Sequence, residues 1–213
     1  ADPSVLNLTA FETFYPEKRP FFVEGGSFFT PQTGEEVQSW QEGWHMIAPI
    51  RLFHSRRIGK APGYFALSEG SLRSSPEATT ILGAAKIVGK LPSGFAYGLI
   101  ESFTDEEVGT KANGEEFLLE PYSNYFIGRV ENPIFNRVST IGAMVTDVRR
   151  EKGESASTAA IDWRWKFIDN QLTFAGQAAA SRTGQKEGYA TQIRFAYNDP
   201  KWWNVDLIGT WYG

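Results

Sequence analysis

From Ala159 to Trp211 apolar and polar residues alternate through consecutive segments of the chain. Ala159, Ile161, Trp163, Trp165 and Phe167 share one parity, and Ala160, Asp162, Arg164 and Lys166 fall between them. After a short turn, Leu172, Phe174, Gly176, Ala178 and Ala180 share one face, with Thr173, Ala175, Gln177, Ala179 and Ser181 on the other. Side chains on a strand change sides with period two, so each segment is a two-faced strand. The segments are roughly ten residues long, the length of a tilted strand that crosses a bilayer.

The same texture predicts eight strands: Thr80–Lys90, Phe95–Thr104, Ser123–Glu131, Val138–Val148, Thr158–Phe167, Leu172–Arg182, Gly188–Tyr197 and Trp202–Tyr212. Short connections rich in turn formers, such as Leu91–Gly94, Ile168–Gln171 and Asn198–Lys201, alternate with longer, charged ones at Asp105–Tyr122, Arg149–Ser157 and Thr183–Glu187. Bacterial outer-membrane barrels have this asymmetry, with short periplasmic turns and long extracellular loops. Near the short turns the apolar parity is aromatic at Phe95, Tyr97, Trp163, Trp165, Phe167, Phe195, Tyr197 and Trp203, as in an interfacial girdle facing lipid. The other parity carries Lys86, Arg129, Asp162, Arg164, Lys166, Arg194 and Asp206, groups suited to a lumen. Glu101 sits on the apolar parity, which calls for a bulge or a strand end there.

The expected fold is therefore all-β, an antiparallel meander forming an outer-membrane-type β-barrel or part of one. Residues 1–77 are an irregular, partly β lead-in or plug-like segment. Pro16, Pro20, Pro31, Pro49, Pro62 and Pro76 interrupt it, and strand-like pieces stand at Pro20–Val23 and Ile50–His54. Residues 78–213 supply at least eight barrel strands, with more expected beyond Gly213. The plainer alternative is a soluble antiparallel sheet packed by one face on a core.

Composition narrows this picture. No run reaches the length of a transmembrane helix, which excludes a helical membrane protein but not a barrel. The chain has 15% aromatics and 21 glycines, which suits an all-β protein with tight turns. It has no cysteine, so disulfides, thiolate metal sites and a cysteine nucleophile are excluded. With a net charge of −4 there is no electrostatic case for nucleic acid. The opening Ala1-Asp2-Pro3 lacks the features of a signal peptide, so the chain reads as an internal part of a longer precursor.

Candidate chemistry is sparse. His45 and His54 have no metal-ligand spacing around them, no cofactor motif is present, and no Gly-x-Ser-x-Gly elbow appears. Carboxylates are plentiful, but none is singled out as a glycosidase pair. Arg56 and Arg57, with Lys60, offer a basic cluster for a phosphate, a lipid head group or an acidic glycan. The competing role is pairing with Glu17 or Glu24 inside the lead-in. Trp40 and Trp44 are candidates for stacking on sugar rings, or for anchoring a loop.

The run from Ala1 to Gly25, with its core Phe11-Glu12-Thr13-Phe14-Tyr15-Pro16-Glu17-Lys18-Arg19-Pro20-Phe21-Phe22-Val23-Glu24-Gly25, resembles a bacterial family known as carbohydrate-binding family 9 domain-containing proteins. Leu52–Gly59 and Ile81–Lys86 carry the same resemblance. It implies the C-terminal domain of unknown function of those proteins, β-barrel in character, in the outer membrane of a Gram-negative bacterium. The sugar-binding-like domain of that family lies upstream and would precede Ala1. The expected role is passage, anchoring or display, with outer-membrane lipid as partner and glycans engaged through the upstream domain. No reaction is implied. The alternatives are a secreted glycoside hydrolase using paired carboxylates and a soluble β-sheet glycan-binding module.

Overall fold

The computed structural model describes residues 16–31, 33, 50–65, 72–135, 137–199, 201 and 203–213. Eleven strands are present among them: β1 (Leu72–Ser74), β2 (Ile81–Lys90), β3 (Ala96–Thr104), β4 (Glu107–Lys111), β5 (Glu116–Glu120), β6 (Ser123–Ile134), β7 (Ser139–Arg150), β8 (Ala156–Phe167), β9 (Leu172–Thr183), β10 (Lys186–Asn198) and β11 (Asn204–Tyr212). Eight of them form one antiparallel sheet in the order β11-β10-β9-β8-β7-β6-β3-β2, a meander in which each strand pairs with the next of the set. The sheet is open, with β2 and β11 at its edges. The all-β meander is thus established, while closure into a barrel is not part of the described structure.

The long Asp105–Tyr122 connection is not the plain loop expected. It folds into the β4–β5 hairpin, and β1 adds to it as a small three-stranded sheet. Glu101 also departs from expectation. The β3–β6 register runs unbroken through it, so no bulge removes it from the apolar face. Its carboxylate instead accepts a hydrogen bond from the Asn124 side-chain amide on the same face of the neighbouring strand. The irregularity in this region lies in β2, between Ile81 and Gly83.

Short turns follow their chemistry. Ile168, Asp169 and Asn170 all have positive φ, near 51°, 50° and 69°. Asp and Asn tolerate that region, whereas a β-branched Ile there is strained.

The described part of the lead-in is helical where it has regular structure. Pro20–Val23 is one helical turn (α1) rather than a strand, with Pro20 at its first position, where a fixed φ and a missing N–H cost nothing. Gly26–Phe29 and Ser55–Arg57 are single 3₁₀ turns, and Ile50–His54 has no strand pairing. These pieces lie on one face of the large sheet. Phe22, Phe29 and Ile58 bury themselves against Ile100 of β3, Tyr125 and Ile127 of β6, and Met144 of β7. This is the hydrophobic core, and it sits between the lead-in and the sheet.

Candidate functional site

Strand register decides what each face of the sheet presents. Cross-strand partners share a face, so Ile141, Trp163 and Gly176 lie in one row. Tyr97 and Val130 lie on the same side, as do Phe195 and Leu207. That side is apolar and open to the surroundings: Ile161 is 53% and Leu207 62% exposed, with Leu99, Val130, Ile141, Val145 and Ile193 also exposed.

The aromatic residues expected to form a girdle lie on this open face or at the turns beside it. Trp163, Trp165, Phe174 and Phe135 make a connected ring cluster, with centroids 5.6–6.4 Å apart. Gly176 leaves the space into which the Trp163 ring extends, since a Cβ there would collide with the indole. Tyr197 packs on Trp203 at 5.0 Å. Tyr97 lies over Gly89 at the β2 edge, Phe95 immediately precedes β3, and Phe167 ends β8 partly exposed.

The opposite face carries the charged residues and is covered around Arg129 and Asp162, while Asp206 near its β11 edge is exposed. Arg129 is 1% and Asp162 4% exposed. They stand on β6 and β8, with β7 between them, and the guanidinium reaches across Gly142 to grip Asp162 with both Nη atoms, at 2.5 and 2.8 Å. A Cβ at Gly142 would fall 2.8 Å from the Asp162 oxygens and 3.0 Å from Arg129 Nη2, so the bridge needs glycine at that position. Glu131 takes a third bond from Arg129 at 3.1 Å. Such charge-assisted, two-pronged pairing fixes the geometry of three adjacent strands.

The row continues from Asp162 to Gln177 on β9 and Gln192 on β10. Gln177 is 0% exposed and neither atom of its amide has a hydrogen-bond partner, while Gln192 donates to the Thr210 hydroxyl at 3.2 Å. Farther along, Arg194 and Asp206 pair diagonally between β10 and β11 at 2.5–3.0 Å. Arg164 and Lys166 project from β8 on the same side as Asp162.

The lead-in is held on this polar face. Lys86 donates to the carbonyls of Phe21 and Glu24 and sits 4.9 Å from the Phe21 ring. Phe28 approaches the Arg129 guanidinium at 5.6 Å. Phe28 and Phe29 press against Gly98, where a Cβ would come within 2.7 and 2.8 Å of their rings.

A separate clamp ties two parts of the lead-in together. The Glu17 carboxylate bonds Arg19 at 2.7 and 2.9 Å and accepts the Ser55 hydroxyl at 2.5 Å. Arg19 reaches on to the carbonyls of Ser55 and Ile58. Burial works to raise the Glu17 pKa, but the Arg19 and Ser55 hydrogen bonds and the Arg19 charge outweigh it and bring it from 4.5 down to about 2. Arg19 is thus a guanidinium partner of Glu17. Arg56 donates to the Pro16 carbonyl, and Arg57 lines a cavity between lead-in and sheet. Trp40, Trp44 and His45 lie outside the described residues.

Two features of the structure escape a reading of the sequence. The Arg129–Asp162 bridge joins residues 33 positions apart, and only the spacing of two parallel polar stripes hints at it. The buried Glu120 carboxylate accepts the Gly63 and Tyr64 N–H groups at 3.0 and 2.9 Å, pinning the lead-in to the β4–β5 hairpin with no local motif to announce it. Among the described residues no helix is long and apolar enough to cross a membrane, and no group of three His, Cys, Asp or Glu side chains stands together as a metal site.

A family model described as a domain of unknown function (DUF5916) matches residues 27–207. No curated protein and no solved structure matches the chain.

Proposed function

This chain belongs to the DUF5916 family of domains of unknown function, and we propose that it forms part of the wall of a β-barrel in the outer membrane of a Gram-negative bacterium. In that setting the open aromatic and aliphatic face meets lipid. The charged face lines the lumen, and the lead-in occupies it as a plug. The role is passage, anchoring or display, joined to glycans through a carbohydrate-binding family 9 type domain of the kind the sequence resemblance implies.

One observation carries this proposal: the burial is inverted. Apolar side chains are exposed across the whole width of the sheet, while Arg129, Asp162, Gln177 and Gln192 are covered. A soluble sheet does the opposite, because exposing a contiguous apolar surface to water costs roughly 25 cal/mol per Å². Lipid removes that cost and leaves the polar groups to a lumen that satisfies them. The strands from β6 to β10 are 12 or 13 residues long, enough to span a bilayer when tilted. The hydrolase alternative has less support, since Glu131 and Asp162 are both engaged by Arg129, and Asp206 by Arg194, rather than set across a cleft.

Site-directed labelling tests the facing in a chain with no native cysteine. Ile161→Cys and Arg164→Cys are introduced singly into the full protein in its membrane and treated with lipid-soluble and water-soluble thiol reagents. Labelling of position 161 from the lipid phase, with 164 reached only from water, is the expected result. Shielding of 161 from both reagents would mean that a protein partner or a second copy covers the face. Labelling of 161 from water alone would remove the membrane altogether.

A further inference from the structure

We infer that the cavity between the lead-in and the polar face binds a small organic anion carrying one carboxylate or phosphate group, and that Arg150, with Lys60, binds its charge. This rests on the packing of the lead-in against the sheet and holds whether or not the sheet closes into a barrel.

The cavity has a volume of about 370 Å³ and is lined by Arg57, Lys60 and Arg150 together with Tyr125, Thr146 and Thr158. Volumes of this order sit at the lower end of ligand pockets, so the occupant is a small solute rather than a polymer. The cavity wall is largely apolar, from Leu52, Phe53, Ile58, Ile127 and Val148, with the cationic Arg150 and Lys60 and the hydroxyl-bearing Thr146 and Thr158 set among them. The carboxylate on its lining, Asp147, already has Arg149 as an ion-pair partner at 2.8 Å.

Arg150 is the central group. It donates to the Glu154 carbonyl at 2.6 Å and lies 4.8 Å from the Tyr64 ring, both of them neutral groups. Its Nε is buried without an acceptor. The guanidinium is therefore oriented by an aromatic face and a carbonyl but not neutralised, the state of an arginine that receives an anionic group. Lys60 is exposed at the same cavity, and its backbone carbonyl is fixed by the Thr79 N–H and hydroxyl, both at 2.8 Å. The hydroxyl-bearing residues Thr146 and Thr158 line the cavity from the sheet side, beside the Tyr125 ring, placed to meet the uncharged body of the solute.

Calorimetric titration of the full protein in detergent tests this with three probes of similar size: glucuronate, glucose 6-phosphate and glucose. Binding of one or both charged sugars, no binding of glucose, and at least tenfold weaker binding in Lys60→Gln are expected. Preference between the first two probes identifies the carboxylate or the phosphate as the group received. Arg150→Lys keeps the charge while losing the fork, and should weaken binding less than Arg150→Gln. Equal binding of glucose, no binding of either anion, or affinity unchanged in both Lys60→Gln and Arg150→Gln would overturn the inference. Loss of membrane insertion with anion binding intact would instead count against the barrel alone.

Discussion

The two faces of the large sheet are built from the same strands and obey opposite rules. On the open face the side chains are large, apolar and only loosely engaged with the rest of the chain. On the covered face several charged side chains are tied to named partners: Arg129 to Asp162 and Glu131, Lys86 to the carbonyls of Phe21 and Glu24, Arg194 to Asp206. The contrast shows where the specificity of this fold resides. Apolar contacts are interchangeable, because one methylene group packs as well as another. Buried charges admit one arrangement, because an unmatched one is costly.

The largest expected effect falls on the covered face. Arg129→Met strands Asp162 and Glu131 without their partner and should destabilise the sheet by about 3–5 kcal/mol in detergent unfolding. The double variant Arg129→Met with Asp162→Leu should recover most of that loss, since it removes both buried charges together. Equal stability of the single and double variants would mean that the bridge is decorative.

Next comes the open face. Ile161→Arg lies at the middle of β8 and should cost about 2–4 kcal/mol when the protein is refolded into lipid. The same change should cost little if that face meets water, so this variant separates the two environments directly.

A smaller effect tests the junction of lead-in and sheet. Gly98→Val forces a branched side chain into the space filled by Phe28 and Phe29 and should cost about 1–3 kcal/mol. Limited proteolysis should then cut the lead-in while leaving the sheet intact. Cleavage confined to the sheet would contradict the plug arrangement.

The smallest effect is a pH dependence. The Glu17 carboxyl has a pKa of about 2 in the folded chain against an ordinary 4.5. A depressed carboxyl stabilises the fold fully above the unfolded value, and that contribution is lost as pH falls from 4.5 toward 2. Lead-in release, followed by proteolysis or tryptophan fluorescence, should therefore rise across that acid window. In Glu17→Gln the window should flatten, and Glu115, an exposed acid lowered by Asn113 and Lys111 in a β-turn remote from the clamp, should not replace it.

Much of the sheet was readable in advance. Strands beginning near Thr80, Phe95, Ser123 and Leu172 start in the structure at Ile81, Ala96, Ser123 and Leu172. Period-two alternation needs no knowledge of neighbours, and the turn residues between strands mark their ends. The lead-in was less readable. Pro20–Val23 and Ile50–His54 are short apolar runs whose length does not distinguish a strand from a helical turn. The β4–β5 hairpin lies inside a polar, charged stretch whose two five-residue strands are too brief to give a pattern.

Taken alone, the amino-acid sequence determined that this protein is an antiparallel meander with one apolar and one polar face. That follows from local backbone geometry, which turns alternation into facing. Only the tertiary structure decided which face is covered, and by what. The apolar patch of Ile100, Ile127 and Met144 on the polar side has no meaning until Phe22, Phe29 and Ile58 arrive to bury it. The pairing of Arg129 with Asp162 across Gly142 depends on three strands coming into register, and register is a long-range property set by the whole sheet.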